Sequence, residues 1–499
     1  MVDQNQLLIG GNGKQTVYMD SSMANRHGMV AGATGTGKTV TLQILAENFS
    51  KAGVPVFLAD VKGDVSGVGK AAKPHPKIDE RIETIGIKDY RMLPSPVVFW
   101  DLFGEKGHRI RTTVSEIGPL LLSNLLDLND TQTGILYSCF KIADDEGMLI
   151  LDLKDLRSML IWMADNRAEL RGEYGNISSA SVGAIQRGLL VLEEQGAEFL
   201  LGEPAISLSD LMSHDFSGRG VINILDASKL IRQSPKLYST FLLWLLSELF
   251  ESLPEVGDAE KPKFVMFFDE AHLLFKGTPR VLVDKIEQVV RLIRSKGVGI
   301  YFISQSPLDI PEEILGQLGL KIQHALRAFT PKDQKAVRIV AETFRSNPKL
   351  DTRGIITQLG VGEALVSTLD ADGVPTPVEQ ILIRPPESRI GPMSEAEREE
   401  QISRSPHKGR YEQTLDRESA YEMLIERAKK TAAQEAQIEA EELARKEAEK
   451  QAKTAARSRS RRSNRQTSSE AFIKSAARAI GSSLGRRVIR GILGSIFKG

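Results

Sequence analysis

The sequence has one cysteine, Cys139, among 499 residues, and only 6% of its residues are aromatic. A single cysteine excludes an internal disulfide framework and suits a reducing compartment, so we expect a cytoplasmic protein. No apolar run reaches about 18 residues, which argues against a membrane-spanning helix. The opening residues, MVDQNQLLIGGNGKQ, lack the basic and apolar regions of a signal peptide. The seven histidines form no ligand-spaced cluster, which argues against a zinc site.

Charge is unevenly distributed along a chain whose net charge is zero. Residues 451–499 contain twelve Lys or Arg and one acid, Glu470, which gives this segment a net charge of +11 and leaves −11 on residues 1–450. A basic tail on an acidic body indicates a polyanionic partner, with duplex DNA and an anionic membrane surface as the two candidates. The alternative is a tail that folds back on its own acidic body.

Alternating strand and helix patterns predict an α/β fold with a parallel, doubly wound sheet. The predicted strands are Leu7–Ile9, Thr16–Met19, Met29–Ala31, Val54–Ala59, Val97–Leu102, Val221–Leu225, Phe264–Phe268, Gly299–Ser304, Lys321–Arg327, Glu363–Ser367 and Glu379–Ile383. The predicted helices are Val40–Lys51, Leu120–Leu126, Gly134–Asp144, Leu153–Asp165, Ser181–Gln195 and Leu237–Leu253.

A complete phosphate-binding pattern, G-x-x-x-x-G-K-[ST], lies between a predicted strand and a predicted helix. Its glycines let backbone N–H groups surround phosphate oxygens, and the following helix presents its positive end to the anion. Lys38 would reach the β- and γ-phosphates, and Thr39 would offer its hydroxyl to Mg²⁺. The residues expected to bind ATP are Gly32, Ala33, Thr34, Gly35, Thr36, Gly37, Lys38, Thr39 and Val40.

A second acidic motif follows the apolar run Phe264–Phe268. Asp269 would hold the Mg²⁺ shell, and Glu270 would act as the general base that polarises the attacking water. A glutamate at this position favours hydrolysis over transfer to another acceptor. We interpret His272, which lies beside this motif, as a coupling residue rather than as a metal ligand. A strand that ends in two solvated carboxylates is the alternative interpretation.

Other charged and polar residues at strand ends are weaker candidates. Gln305 would sense the γ-phosphate or the attacking water, although a polar strand end explains it equally well. Asp60 and Asp64 follow a strand whose carboxyl end would face the ligand, and a charged surface turn is their alternative. One of Arg291, Arg294 and Arg327 would supply a catalytic arginine across a subunit interface, since the loop itself contains none; Lys296 lies beside the first two.

The order of these motifs resembles the HerA/FtsK group of RecA-like ATPases. Asn25-Arg26-His27-Gly28, Leu128-Asn129-Asp130-Thr131-Gln132, His324–Pro331 and Asp416–Tyr421 resemble the bacterial HerA-like proteins of the YjgR type. The resemblance spans about residues 1–430. It implies a RecA-like motor core, assembled as a hexameric ring with ATP between subunits, acting on double-stranded DNA with a nuclease partner. Because about 30 residues precede the phosphate-binding loop, we expect no N-terminal barrel of the archaeal HerA kind.

We accordingly expect a core divided between residues 1–108 and 219–386, with a helical insertion over 109–218. Residues 387–453 would form a linker, over 387–410, and then a charged helix. Residues 454–470 would be a basic disordered segment, and residues 471–499 a basic amphipathic tail. The apolar positions of this tail are Phe472, Ile473, Ala476, Ile480, Leu484, Val488, Ile492 and Ile496.

The motifs leave three functions open. The first is an oligomeric ATP-hydrolysing motor that translocates DNA. The second is an ATPase at a membrane surface, acting on another partner, for which the amphipathic pattern of 471–499 is suited to anionic lipid. The third is a small-molecule kinase, disfavoured by Glu270. Peripheral attachment to a membrane or to the nucleoid is compatible with the first two.

Overall fold

The computed structural model describes residues 5–257, 259–328 and 330–458, with the side chains of all except 332 and 454–458. The chain divides into two units, residues 1–417 and 418–499. No helix within these described ranges is long and apolar enough to cross a membrane. The predicted basic segment and amphipathic tail lie almost entirely outside the described residues.

The first unit is built on one twelve-stranded sheet. The strands are β1 Gln6–Gly11, β2 Thr16–Asp20, β3 Gly28–Ala31, β4 Val56–Asp60, β5 Val97–Asp101, β6 His108–Arg109, β7 Ile222–Asp226, β8 Phe264–Phe268, β9 Val298–Ser304, β10 Leu320–Gln323, β11 Glu363–Ser367 and β12 Glu379–Ile383. Their order across the sheet is β2-β1-β12-β11-β10-β3-β9-β8-β4-β7-β5-β6.

Helices connect most of these strands. They are α1 Lys38–Lys51, α2 Pro76–Ile85, α3 Val114–Leu125, α4 Asp130–Asp145, α5 Leu153–Asp165, α6 Arg167–Tyr174, α7 Ser179–Glu194, α8 Ala197–Leu200, α9 Leu208–Leu211, α10 Ser228–Gln233, α11 Pro235–Ser252, α12 His272–Phe275, α13 Arg280–Leu292, α14 Glu312–Leu315, α15 Pro331–Glu342, α16 Thr352–Gln358 and α17 Glu395–Ser403, with α18 Ala420–Ser458 in the second unit. Short 3₁₀ helices cover Ser21–Arg26, Ser66–Gly69, Ile293–Lys296 and Pro307–Asp309.

The predicted α/β fold is confirmed, with one refinement. All strands from β10 to β6 in the sheet order pair in parallel. The pairs β2–β1, β1–β12, β12–β11 and β11–β10 are antiparallel and extend one side of the sheet. The central strands β3, β4, β7, β8 and β9 are buried along their whole length. Strands covered on both faces read as continuous apolar runs, which is why their positions were predictable.

Helix α1 covers one face of this sheet at its centre. Its buried residues Leu45 and Phe49 belong to the same core cluster as the strand residues Phe267 and Tyr301. The rings of Phe49 and Tyr301 have centroids 5.4 Å apart, and those of Phe267 and Tyr301 are 5.1 Å apart. Aromatic packing of this kind fixes the helix that follows the phosphate-binding loop relative to the strands that carry the acidic motif.

Between β6 and β7 the chain is helical. Three of its helices begin with reciprocal capping hydrogen bonds at Thr113, Asn129 and Asp152. Each cap satisfies backbone N–H groups that have no partner inside the helix. Gly118 and Pro119 interrupt the first of these helices with a kink.

The prediction of a linker over residues 387–410 is wrong. Helix α17 lies there, and buried polar groups hold the segment to helix α1 and to the end of β7. The Glu47 carboxylate accepts hydrogen bonds from the backbone N–H groups of Glu387 and Ser388 at 3.0 and 2.9 Å. Arg398 donates to Asp226 at 2.9 Å. Charged and polar residues indicated a solvated linker, whereas their partners lie more than 170 positions away in the sequence.

The predicted strand Lys321–Arg327 is also shorter than expected. β10 ends at Gln323, because the next residues turn toward the phosphate-binding loop: Ala325 accepts a hydrogen bond from the backbone N–H of Ala33 at 2.8 Å. In the second unit, α18 contains the charged residues expected to form a long solvated helix, and most of its side chains are exposed.

Candidate functional site

The phosphate-binding loop connects the carboxyl end of β3 to the first residue of α1. Gly32 has φ +153° and Gly37 has φ +116°, backbone conformations that side chains rarely adopt. A Cβ on Gly32 would lie 2.6 Å from the Cβ of His324, and one on Gly37 would lie 3.1 Å from the backbone nitrogen of Gly362. The sequence therefore needs glycine at both positions for a loop of this shape to close against its neighbours.

Lys38 points into this loop. Its Nζ donates hydrogen bonds to the carbonyl oxygens of Gly32 at 2.5 Å and Ala33 at 3.0 Å. The residue is 7% exposed, and burial lowers the pKa of its ammonium, with a further contribution from the positive charge of Lys62. The loop thus holds a desolvated cation that favours an anionic ligand, as expected for a phosphate site.

The acidic motif follows β8, which lies two strands from β3 with β9 between them. Burial, and secondarily the charge of Glu270, raises the pKa of Asp269 to about 7. Asp269 accepts a hydrogen bond from the backbone N–H of Glu270 at 2.9 Å, and Tyr238 in α11 donates to its carbonyl oxygen at 3.1 Å. Glu270 has φ +48°, a left-handed conformation that is costly for a side chain of this kind.

The side chain of Glu270 is held between two basic groups. Its Oε1 lies 3.6 Å from the Nζ of Lys62, and its Oε2 lies 3.3 Å from the Nδ1 of His272. The Oε2 atom is buried and has no hydrogen-bond partner. His272 therefore lies beside the acidic motif, where a coupling role was expected. A strained backbone and a buried oxygen without a hydrogen bond are features that occur at functional sites, and Glu270 has both.

The two aspartates after β4 have different surroundings. The Asp60 carboxylate accepts hydrogen bonds from the backbone N–H groups of the next turn, including Gly63 at 2.7 Å and Val65 at 3.0 Å, and burial raises its pKa to about 6. Asp60 therefore shapes its own turn. Asp64 reaches the phosphate-binding loop, where the Thr39 hydroxyl donates to it at 3.4 Å.

The oxygen groups of this site fit a magnesium ion. Thr39 and Asp269 offer a hydroxyl and a buried carboxylate, hard oxygen ligands of the kind Mg²⁺ prefers. Within the described part of the chain there is no cluster of three or more His, Cys, Asp or Glu side chains with metal-site geometry. A small number of protein ligands is the usual arrangement for Mg²⁺ that shares its coordination with nucleotide phosphates and water.

The remaining predicted residues separate into two groups. Gln305 is exposed immediately after β9, and Arg327 is exposed two residues beyond the loop contact at Ala325, so both lie at the same edge of the sheet as Lys38. Arg291 and Arg294 are exposed before the amino end of β9, where they line a cavity of about 420 Å³. The seven residues of β9 span roughly 20 Å, so these two arginines lie far from the phosphate-binding loop of their own chain.

Several residues of the site received no role from the sequence. His324 is buried below the loop, where its Nε2 bonds the Thr41 hydroxyl at 2.8 Å and its Nδ1 bonds the Glu363 carbonyl at 2.9 Å. Tyr238 and Lys62 contact the acidic motif. A cleft of about 540 Å³ borders the predicted residues Gly37 and Val40, and its lining includes residues that were not predicted: Arg81, Gly362, Pro385, Pro386 and Ile390. Only the position of His324 inside a quoted motif, and that of Lys62 between Asp60 and Asp64, hinted at these roles.

A loop that holds a buried lysine, facing an Asp-Glu pair across a parallel sheet, defines a P-loop ATPase. The family model described as "Helicase HerA-like C-terminal" matches residues 5–499. The chain belongs to this family, which confirms the resemblance to HerA proteins.

Individual relatives are distant. The "DNA double-strand break repair helicase HerA" of Saccharolobus solfataricus is 22% identical over 376 residues, covering 72% of this chain and 64% of the relative. Its counterpart in Sulfolobus acidocaldarius is 22% identical over 370 residues, covering 72% of this chain and 65% of the relative. The chain thus spans less than two thirds of either relative. The solved structure of VirB4 of Thermoanaerobacter pseudethanolicus superposes with a TM-score of 0.50 at 16% identity, covering 77% of this chain and 97% of that one. This likeness concerns the fold.

Proposed function

We propose that this chain hydrolyses ATP with Mg²⁺ and uses the turnover to move along double-stranded DNA as part of an oligomer. The observation that carries the proposal is the convergence of Lys38, Asp269 and Glu270 at one edge of the sheet, in a member of a HerA-like family. Relatives at 22% identity are named as DNA repair helicases, which supports DNA as the substrate.

Each group has a role in this reaction. The backbone of residues 32–37 surrounds the phosphates, Lys38 neutralises the β- and γ-phosphate oxygens, and Thr39 and Asp269 hold Mg²⁺, which supplies further charge neutralisation. Glu270 accepts a proton from the water that attacks the γ-phosphorus, and ADP and phosphate leave. Gln305 orients this water or senses whether the γ-phosphate is present. We assign the nucleobase to the cleft beside Val40.

The positions of the arginines support an oligomeric enzyme. Arg291 and Arg294 lie at the opposite edge of the sheet from the P-loop of their own chain, so a catalytic role for either requires the site of a neighbouring subunit. Arg327 lies at the nucleotide edge of the sheet and would act in the ATP site of its own chain or in that of an adjacent chain. ATP bound between subunits of a hexameric ring, as the HerA resemblance implies, brings an arginine to each site.

The net charge of +11 on residues 451–499 supports a polyanionic partner. We propose that this segment contacts DNA phosphates, that the protein works in the cytoplasm at the nucleoid, and that a nuclease partner acts on the DNA. The second candidate is an ATPase at an anionic membrane surface, favoured by the apolar positions of 471–499.

The decisive experiment measures ATP hydrolysis by the full-length chain and by residues 1–450, with and without duplex DNA and with anionic liposomes. A motor that translocates on DNA is expected to hydrolyse ATP faster when duplex DNA is present. Stimulation by liposomes without stimulation by DNA would favour the membrane candidate. Indifference of the full-length chain to both would reject both partners while leaving the ATPase assignment standing.

A further inference from the structure

Lys62 lies in the turn that follows β4, and this turn has a fixed shape. Asp60, buried at the end of the strand, accepts three backbone hydrogen bonds from Gly63, Asp64 and Val65, at 2.7, 3.2 and 3.0 Å. A carboxylate that satisfies three successive N–H groups holds the backbone of the turn in one conformation. Lys62 is therefore presented at a defined place, while its side chain remains 41% exposed and free to change rotamer.

This turn borders both halves of the nucleotide site. On one side, Asp64 accepts the hydrogen bond of the Thr39 hydroxyl in the P-loop. On the other side, the Nζ of Lys62 lies 3.6 Å from Glu270. Its charge also acts on the P-loop lysine and on the acidic motif, since it contributes to the lowered pKa of Lys38 and opposes the raised pKa of Asp269. Lys62 is thus a second cation of the site, supplied by the same chain.

An ion pair with Glu270 alone does not account for this position. A pair with a partly exposed lysine contributes little to stability. It also places the lysine 3.6 Å from one of the two carboxylate oxygens with which Glu270 would bind water, which hinders Glu270 in the role of base. A lysine of this length, whose backbone is held between the P-loop and Glu270, has a more anionic partner available whenever a triphosphate occupies the loop.

We propose that Lys62 is a catalytic residue that leaves Glu270 and contacts the transferring phosphoryl group in the transition state of hydrolysis. The proposal rests on the proposed ATP hydrolysis and adds a cation that acts within one chain, besides any arginine from a neighbour. When Lys62 moves from Glu270 to the phosphoryl group, both carboxylate oxygens of Glu270 become available to bind the attacking water.

The reaction balances without any further reagent. The water oxygen forms a bond to the γ-phosphorus, and the bond between that phosphorus and the β–γ bridging oxygen breaks with its electron pair going to ADP. One water proton passes to Glu270 and returns to solvent after phosphate leaves. Lys62 keeps its proton throughout and stabilises the charge spread over the equatorial oxygens of the transferring group.

The test compares Lys62→Ala, Lys62→Arg and the matched control Lys73→Ala, which removes an exposed lysine of a nearby loop. We expect Lys62→Ala to lower kcat by about 10²-fold or more, as for the loss of one group that stabilises transition-state charge. KM should change far less, Lys62→Arg should recover part of the rate, and Lys73→Ala should match the wild type. Thermal unfolding of all three variants verifies that they fold.

Binding of ADP alone and of ADP with aluminium fluoride and Mg²⁺ separates contact with phosphate from an effect through Glu270. The fluoride complex mimics the transferring phosphoryl, so Lys62→Ala should weaken its binding by a factor similar to the loss in kcat while leaving ADP binding nearly unchanged. Unchanged kcat would overturn the proposal. So would a reduced kcat with normal affinity for the fluoride complex, or an equal loss of affinity for both ligands. A wild-type chain that does not hydrolyse ATP would instead refute the proposed function itself.

Discussion

Two buried histidines are each expected to contribute stability that is lost as the pH falls. His27 accepts a hydrogen bond at Nδ1 from the backbone N–H of Ile300 at 3.1 Å, so its proton is on Nε2, which donates to the Val290 carbonyl at 2.8 Å. His324 has the other arrangement, with Nδ1 donating to Glu363 and Nε2 accepting from Thr41. Both rings use one nitrogen as an acceptor. A second proton would abolish this hydrogen bond at His27, because a backbone N–H cannot accept, and at His324 it would require the Thr41 hydroxyl to turn from donor to acceptor.

The magnitude follows from the depressed pKa values. Burial lowers the pKa of each histidine from 6.5 to about 4. Above pH 6.5 both histidines are neutral in the folded and in the unfolded state, so they cause no loss of stability. Between pH 6.5 and 4 the two histidines bind protons in the unfolded chain but not in the folded chain. The free energy of unfolding therefore falls as the pH falls. At pH 5 this amounts to about 2 kcal/mol for each histidine relative to pH 7.

The assay is urea unfolding between pH 7 and 5, for the wild type and for His324→Asn, which keeps a donor near the position of Nδ1. Asp60 and Asp269 have raised pKa values and act with the opposite sign, because acid relieves the cost of burying their charges. The difference between the two proteins therefore isolates the histidine. We expect the variant to be less stable at pH 7 and to lose about 2 kcal/mol less on going to pH 5. Parallel pH dependences in the two proteins would refute the reasoning.

Four further predictions concern the site and the tail. Glu270→Gln should bind ATP and hydrolyse it about 10²–10⁴-fold more slowly, because only the proton acceptor is lost; near-normal turnover would remove it from that role. Lys38→Ala should weaken equilibrium binding of ATP analogues by about tenfold or more, and unchanged affinity would contradict the P-loop assignment. An equimolar mixture of Lys38→Ala with an inactive variant of one candidate arginine should regain activity at about a quarter of its interfaces, whereas no recovery with any of the three indicates a site complete in one chain. Removal of 451–499 should weaken binding to duplex DNA in a strongly salt-dependent way and leave basal hydrolysis nearly unchanged, and a loss confined to anionic liposomes would favour the membrane candidate.

The sequence predicted the strands and the ends that carry the site, for a physical reason. β8 and β9 are buried on both faces, and the residues that follow them, Asp269 and Gln305, interrupt apolar runs abruptly. A polar residue directly after a fully buried strand marks the edge where side chains converge. The antiparallel strands β11 and β12 were found as strands, yet their direction depends on which neighbours they pair with, and no local pattern encodes that.

The parts that were missed depend on contacts between distant segments. Lys62 and Glu270 are more than 200 positions apart, as are Thr41 and His324, and hydrophobic periodicity gives no information about such pairs. The packed segment after residue 386 was predicted as a linker because its partners are also distant in the sequence. Its composition is polar because its partners, among them Glu47, are buried polar groups.

Strand β9 connects the two edges of the sheet that the proposed mechanism uses. Its carboxyl end leads to Gln305 at the nucleotide edge, and its amino end follows Arg294 at the opposite edge. His27 ties the same strand to helix α13 through Ile300 and Val290, so the helix that carries Arg291 is fixed to the strand that ends directly before Gln305. A strand hydrogen-bonded on both sides, to β3 and β8, moves as one rigid body. If Gln305 contacts the nucleotide and either arginine serves a neighbouring site, as we propose, then β9 is a direct structural connection between the two sites.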